Sequence, residues 1–215
     1  AKRDLCIHGC GGQIRSIGGQ EVDIVPAVRR NMTKYAVMVM EPERIRYELE
    51  KALYLAREGR PGPSWLDIPL DVQGSFIETD ALEGYEPPAP SAQIDLPQIA
   101  RRLLARLKAA ERPVLYAGNG IRWAGGMELF RRLFEMLDIP VVTCWDSIDL
   151  IATDYAHYCG RGGNMGDRAG NFAVQNSDFL LCIGARMSIY QVGWNTATWA
   201  RAAYVAMVDI DPLEL

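Results

Sequence analysis

Pro113-Val114-Leu115-Tyr116-Ala117-Gly118-Asn119-Gly120 is an apolar run that passes directly into a glycine-flanked turn. An unbroken apolar run, rather than an alternating one, marks a strand covered on both faces, as in a parallel sheet. The same form recurs at Pro140-Val141-Val142-Thr143, at Phe179-Leu180-Leu181-Cys182-Ile183-Gly184 and at Tyr204-Val205-Ala206-Met207-Val208-Asp209. Helical spacing fills the intervals, over about 124–137 and, as a single turn, over 170–176. Upstream, Asp95-Leu96-Pro97 offers a capping acid and an early proline for a helix running to about Ala110. Helix and strand in alternation imply right-handed crossovers. Residues 95–215 are therefore expected to form an α/β domain of doubly wound, Rossmann-like, parallel-sheet type.

Ahead of this region, Gly84-Tyr85-Glu86-Pro87-Pro88-Ala89-Pro90-Ser91-Ala92-Gln93 packs three prolines into four positions, which no helix or sheet interior accepts. Residues 74–94 are expected to be a crossing strap. Before it, residues 42–58 have Ile45, Leu49, Ala52, Leu53 and Ala56 at helical spacing, with Pro42 suited to the first turn and Gly59 to the stop. Ser64 to Pro69 has the form of a short buried strand ended by proline, and Tyr35 to Met40 is strand or buried loop. Part of a second α/β domain thus precedes the parallel-sheet domain.

The chain has 215 residues, 49% of them hydrophobic, with 23 Lys+Arg against 27 Asp+Glu and a net charge of −4. That length fits one or two domains, and the apolar content excludes a disordered chain. There is no run of about 18 apolar residues, so no membrane helix is expected. The acidic balance, without a basic stripe, argues against nucleic acid. The five cysteines, Cys6, Cys10, Cys144, Cys159 and Cys182, are odd in number and scattered, which favours a reducing cytoplasm over a disulfide framework. Residues 1–20 have no apolar core of the signal-peptide kind.

Candidate ligand residues lie at the expected strand ends. Gly118-Asn119-Gly120 joins strand to helix, where glycine lets backbone approach a ligand and a helix N-terminus favours an anion. The spacing is not G-x-G-x-x-G, and an ordinary tight turn explains it equally. Arg186, in Gly184-Ala185-Arg186, would meet a phosphate or carboxylate, or serve as a surface ion-pair partner. Asp209 and Asp211 flank Ile210. One of them would accept from ribose or adenine donors, or cap the turn before Pro212. Cys6-Ile7-His8-Gly9-Cys10 lacks the second cluster that structural zinc needs, so no metal site is assigned. The glycine-dense stretch from Gly160 to Arg168 is expected to be a loop of the kind that meets ligands, though it lacks the G-K-[ST] of a phosphate-binding Walker loop.

Gly59-Arg60-Pro61-Gly62-Pro63, followed by Trp65-Leu66-Asp67-Ile68-Pro69-Leu70-Asp71-Val72-Gln73, resembles the end of the pyrimidine-binding domain of thiamine-diphosphate-dependent enzymes. Gln20-Glu21-Val22-Asp23-Ile24-Val25, with Thr33-Lys34-Tyr35, is similar to that domain in the acetolactate synthase branch. Arg112-Pro113-Val114, Gly118-Asn119-Gly120, the Gly166–Gln175 stretch, Ser177-Asp178-Phe179-Leu180-Leu181, Gly184-Ala185-Arg186 and Asp209-Ile210-Asp211-Pro212 resemble the central domain. The order of motifs is kept over nearly the whole chain.

The resemblance implies a C-terminal part of the pyrimidine-binding domain over 1–73, a linker over 74–94 and the central domain over 95–215. It implies that these residues are a fragment of a homodimeric or homotetrameric cytoplasmic enzyme, a decarboxylase or carboligase of small 2-oxo acids that uses thiamine diphosphate and Mg²⁺. The family's catalytic glutamate lies upstream of the matched stretch. Its metal site needs Gly-Asp-Gly and paired asparagines, whereas Gly166-Asp167 is followed by Arg168 and Asn-Asn is absent. No catalytic residue or metal ligand is therefore assigned, and the 215 residues alone are expected to be inactive. Gln20 is carried over as a cofactor-side position, although Gly18-Gly19 replaces the family's Ala-Phe before it. Gly118, Asn119, Gly120, Arg186, Asp209 and Asp211 are carried over as the strand-end site, which holds FAD or an adenine nucleotide in some members and nothing in others. Met187-Ser188-Ile189-Tyr190 replaces the Phe-Asp-Asp-Arg that follows Gly-x-Arg, so FAD is not expected here and an adenine nucleotide stays open. The alternative is a non-catalytic nucleotide-binding or structural module.

Overall fold

The computed structural model describes residues 25–89 and 94–215. The chain divides into two units, Ala1–Ala92 and Gln93–Leu215. Gln20 and the Cys6–Cys10 stretch lie outside the described residues.

The described part of the first unit runs α1 (Val25–Asn31), β1 (Tyr35–Met38), a 3-10 turn at Pro42–Arg44, α2 (Ile45–Arg57), β2 (Ser64–Asp67) and α3 (Leu70–Gln73). β1 and β2 pair in parallel, from Tyr35 opposite Ser64 to Met38 opposite Asp67. Val25, Val28 and Ala36 make a small core under them. Helix α2 ends before Gly59, whose φ of 58° suits a residue without Cβ. Its buried face is Glu48 and Ala52, not the leucines that the sequence spacing favours: Leu49 and Leu53 are exposed. Glu48 is buried because the Tyr35 hydroxyl donates to its carboxylate and Arg44 pairs with it at 3.2 Å. The proline-rich strap packs on the opposite side of α2. There Glu50 accepts the Tyr85 N–H at 2.7 Å, and the Tyr85 ring meets Tyr47 edge-on at 5.5 Å.

The second unit begins with α4 (Leu96–Ala109), capped by Asp95, which accepts the Gln98 N–H at 2.9 Å. There follow β3 (Pro113–Ala117), a single helical turn α5 (Gly120–Trp123), α6 (Met127–Leu137), β4 (Val141–Thr143), β5 (Tyr158–Arg161), α7 (Arg168–Asn176), β6 (Phe179–Ile183), the turn α8 (Ile189–Val192) and β7 (Tyr204–Val208). All five strands are parallel, in the order β5-β4-β3-β6-β7. Numbered from β3, that order is 3-2-1-4-5, the doubly wound arrangement in which the direction of winding reverses between the first and fourth strands.

Two cores flank the sheet because successive strand residues face opposite ways. Leu115, Ala117, Val141, Phe179 and Leu181 face α6 through Phe130 and Phe134. Val114, Tyr116, Val142, Leu180 and Cys182 face α7 through Val174. The α/β doubly wound class follows from the sequence as expected, with three differences. The single turn expected over 170–176 is a nine-residue helix that begins at Arg168. The expected helix over 124–137 starts at Met127, because Gly125 adopts φ 67° and Gly126 caps the helix. And Tyr158–Arg161, which carries no apolar run, becomes a fifth strand by pairing along β4.

Candidate functional site

In doubly wound sheets ligands sit at the carboxyl ends of the strands, at the point where winding reverses. Here that point lies between β3 and β6. The sheet brings three of the sequence's candidate turns to this edge: Gly118–Gly120 after β3, Gly184–Arg186 after β6, and Asp209–Asp211 after β7.

The two glycine turns meet each other. Gly118 N–H donates to Ile183 O at 2.9 Å, and Gly120 N–H donates to Gly184 O at 3.0 Å. A Cβ on Gly120 would lie 2.8 Å from the Gly184 Cα, and one on Gly118 would collide with the Gly184 carbonyl. Glycine is needed here for close approach of backbone to backbone. The Gly118 and Gly120 amides, offered for an anion, already have protein acceptors. Arg186 pairs with Glu214 at 2.8 Å while remaining 65% exposed. Asp209 accepts the Asp211 N–H, and Asp211 accepts the Leu213 N–H, each at 3.0 Å, so both acids brace the turn before Pro212. Asn119 accepts from Arg122 at 3.3 Å, and Arg122 reaches Asp149 at 2.8 Å, which ties the β3 turn to the loop after β4.

Arg186 and Met187 stand at φ 52° and 46°, beside Gly184 at 58°. For residues with a Cβ, left-handed backbone costs roughly 1–2 kcal/mol each. This edge is thus both closed and strained.

The glycine-dense stretch from Gly160 to Arg168 is also occupied by its own contacts. Asp167 accepts from the Arg161 backbone N–H at 2.9 Å and from its guanidinium at 3.0 Å through both oxygens. That guanidinium holds the Asp167 carboxyl down at about 2. Asn171 clasps Gly163 from both sides, accepting its N–H at 2.8 Å and donating to its carbonyl at 3.0 Å. Asn164 N–H donates to Tyr190 O at 2.8 Å.

Sequence reasoning missed a buried polar group beneath this edge. Tyr116 is fully buried, and its hydroxyl has no partner beyond a weak contact with the Cys144 thiol. Cys144 and Cys182 are buried beside it, and burial pushes each thiol up to about 12. The Ser147, Gln191 and Tyr116 side chains oppose this at Cys144 but do not outweigh the loss of water. The signal in the sequence was a tyrosine inside an otherwise aliphatic strand. These thiols are protonated at neutral pH and are not nucleophiles. Among the described residues no group of three His, Cys, Asp or Glu side chains is placed to hold a metal ion. The described residues therefore do not fit Mg²⁺ with a diphosphate, and no chemical step through that group can be built on them.

A five-stranded doubly wound domain with a self-filled reversal point, preceded by a second α/β unit, defines the class of molecule. Residues 100–215 match the family model described as "Thiamine pyrophosphate enzyme, central domain" (thiamine pyrophosphate being thiamine diphosphate), and the chain belongs to that family. It is 33% identical over 199 residues to the acetolactate synthase large subunit of Lactococcus lactis subsp. lactis, covering 91% of this chain and 34% of that protein. It is 32% identical over 202 residues to the acetolactate synthase isozyme 2 large subunit of Escherichia coli K12, covering 91% and 35%. It is 31% identical over 219 residues to the glyoxylate carboligase of Escherichia coli O157:H7, covering 98% and 36%. The chain thus spans about a third of the length of the relatives it matches.

Proposed function

We propose that these residues serve a thiamine-diphosphate-dependent decarboxylase or carboligase of 2-oxo acids, contributing the end of its pyrimidine-binding domain over 1–73, a strap over 74–94 and its central domain over 95–215. The observation that carries this is the extent of the similarity, which runs through both units and takes in 91% of the chain against acetolactate synthases. The reaction class is cofactor chemistry, and thiamine diphosphate would supply the carbanion stabilisation it needs. The described residues are not the ones that would hold that cofactor and its Mg²⁺, and Gln20 is a cofactor-side position by resemblance alone. The polypeptide would work as a homodimer or homotetramer in the cytoplasm; separately, no described helix is long and apolar enough to cross a membrane.

Within that enzyme the second unit acts as a structural spacer. The closed reversal point supports this, since Gly118 and Gly120 donate to Ile183 and Gly184 rather than outward. The test is to express the complete gene product containing these residues and to measure CO₂ release from pyruvate and glyoxylate with and without thiamine diphosphate and Mg²⁺. Cofactor-dependent release is expected. A product that binds thiamine diphosphate but consumes no 2-oxo acid, or that does not bind it, overturns the proposal. For the spacer role, FAD and ADP should leave the melting temperature of the 215-residue chain unchanged. A rise with either would favour a nucleotide site at Gly118–Gly120, Arg186, Asp209 and Asp211.

A further inference from the structure

The turn after β6 is held in a conformation its own residues disfavour. Gly184, Arg186 and Met187 all adopt left-handed φ, and only the first lacks a Cβ. Two successive long side chains in that region persist only where the surroundings hold them. On one side stands the β3 turn, whose Gly120 amide donates to Gly184 O with no side chain between the two backbones. On the other side stands Glu214, which accepts from the Arg186 guanidinium Nε at 2.8 Å. Glu214 is presented by a braced finger of chain. Asp209 and Asp211 accept the Asp211 and Leu213 amides, and Glu214 N–H donates to Asp211 O at 3.0 Å. Glu214 is 21% exposed and Arg186 65%, so water and salt reach the pair.

We propose that the Arg186–Glu214 pair is a latch that keeps the strained 184–187 turn shut over the reversal point between β3 and β6, and that movement of the 209–214 finger is passed through it to the backbone of Gly118–Gly120. When the pair parts, Arg186 and Met187 relax toward right-handed backbone. The Gly184 carbonyl then leaves the Gly120 amide, and a crevice opens between the two turns. The sheet itself need not change, because Gly118 N–H to Ile183 O and Gly184 N–H to Val208 O, both 2.9 Å, continue the strand pairing.

Amide hydrogen exchange on the 215-residue chain reads the latch at Gly120. Glu214→Gln and Arg186→Leu should each speed exchange at Gly120 by about fivefold or more, with the Leu115 and Leu181 amides within about twofold of wild type. Salt at 1 M, where the screening length falls to about 3 Å, should act in the same direction on the wild-type chain. Adding Met187→Gly, which removes the penalty for left-handed backbone, should slow Gly120 again in the Glu214→Gln background. A Gly120 rate that both single variants leave unchanged overturns the latch. So does a rise shared equally by Leu115 and Leu181, which would report a general loss of stability.

Discussion

The phenol of Tyr116 stands where the side chain of residue 162 would begin. A Cβ on Gly162 would lie 2.5 Å from the Tyr116 hydroxyl and 2.7 Å from its ring carbon Cε2. The hydroxyl is buried without a proper partner, and an unsatisfied buried donor costs about 1–3 kcal/mol. Tyr116→Phe should therefore stabilise the second unit by about 1 kcal/mol, seen as a higher urea midpoint at unchanged slope.

Gly162→Ala should do the reverse, by about 1–3 kcal/mol, through overpacking against the tyrosine ring. The two substitutions touch, so they should not add. Phe at 116 removes the nearest of the clashing atoms, and the double variant should recover about 0.5 kcal/mol or more of the alanine penalty. Strict additivity in a double-mutant cycle would mean that the Gly162 backbone yields instead.

Asp167 links this part of the fold to pH. Arg161 depresses its carboxyl from 3.8 to about 2 in the folded state, so its stabilising contribution is complete above pH 3.8 and is lost as pH falls through about 2. Acid unfolding curves of wild type and Asp167→Asn should separate at neutral pH, with wild type more stable, and converge near pH 2. Both groups are part-exposed, so the gap should shrink in high salt.

Cys144 and Cys182 should resist alkylation in the native chain at pH 8. Burial lifts both thiols from 9.0 to about 12, which leaves almost no thiolate and no path for the reagent. Iodoacetamide followed by peptide mass spectrometry should find them modified only after denaturant is added. The same shift means that stability held below pH 9 is lost as pH rises toward 12.

The strands that could be read from the sequence are those whose burial writes itself into composition. Pro113–Ala117 and Phe179–Ile183 are covered on both faces, hence apolar throughout; Tyr204–Val208 is an edge strand with exposed ends that keeps the apolar run, and the expected limits of all three lie within a residue of the observed ones. Tyr158–Arg161 is an edge strand of Tyr, Cys, Gly and Arg. Its strand character comes from its neighbour β4 and leaves no local pattern. Helix α2 went wrong in phase by one residue because Tyr35 and Arg44 buy Glu48 an interior place, a tertiary effect invisible to spacing. At the candidate site the positions were legible but their employment was not. Glycine that serves a ligand and glycine that serves another turn look identical until the partner carbonyl of Gly184 is seen.

For a lineage carrying this domain, the turn from Gly160 to Gly170 is ground closed to drift. Any side chain at Gly162 strikes Tyr116, one at Gly163 strikes the backbone of Tyr190, and one at Gly166 or Gly170 strikes that of Arg161. Three different neighbours set these barriers, so a single compensating change cannot lift them together. Novelty on this edge has to be recruited elsewhere, in the segments carrying Trp145, Ile148, Tyr190 and Trp194, where side chains already stand 50–90% in solvent and replacement disturbs no backbone. Divergence among homologous domains should therefore concentrate in those two segments while the glycine turn between them stays fixed.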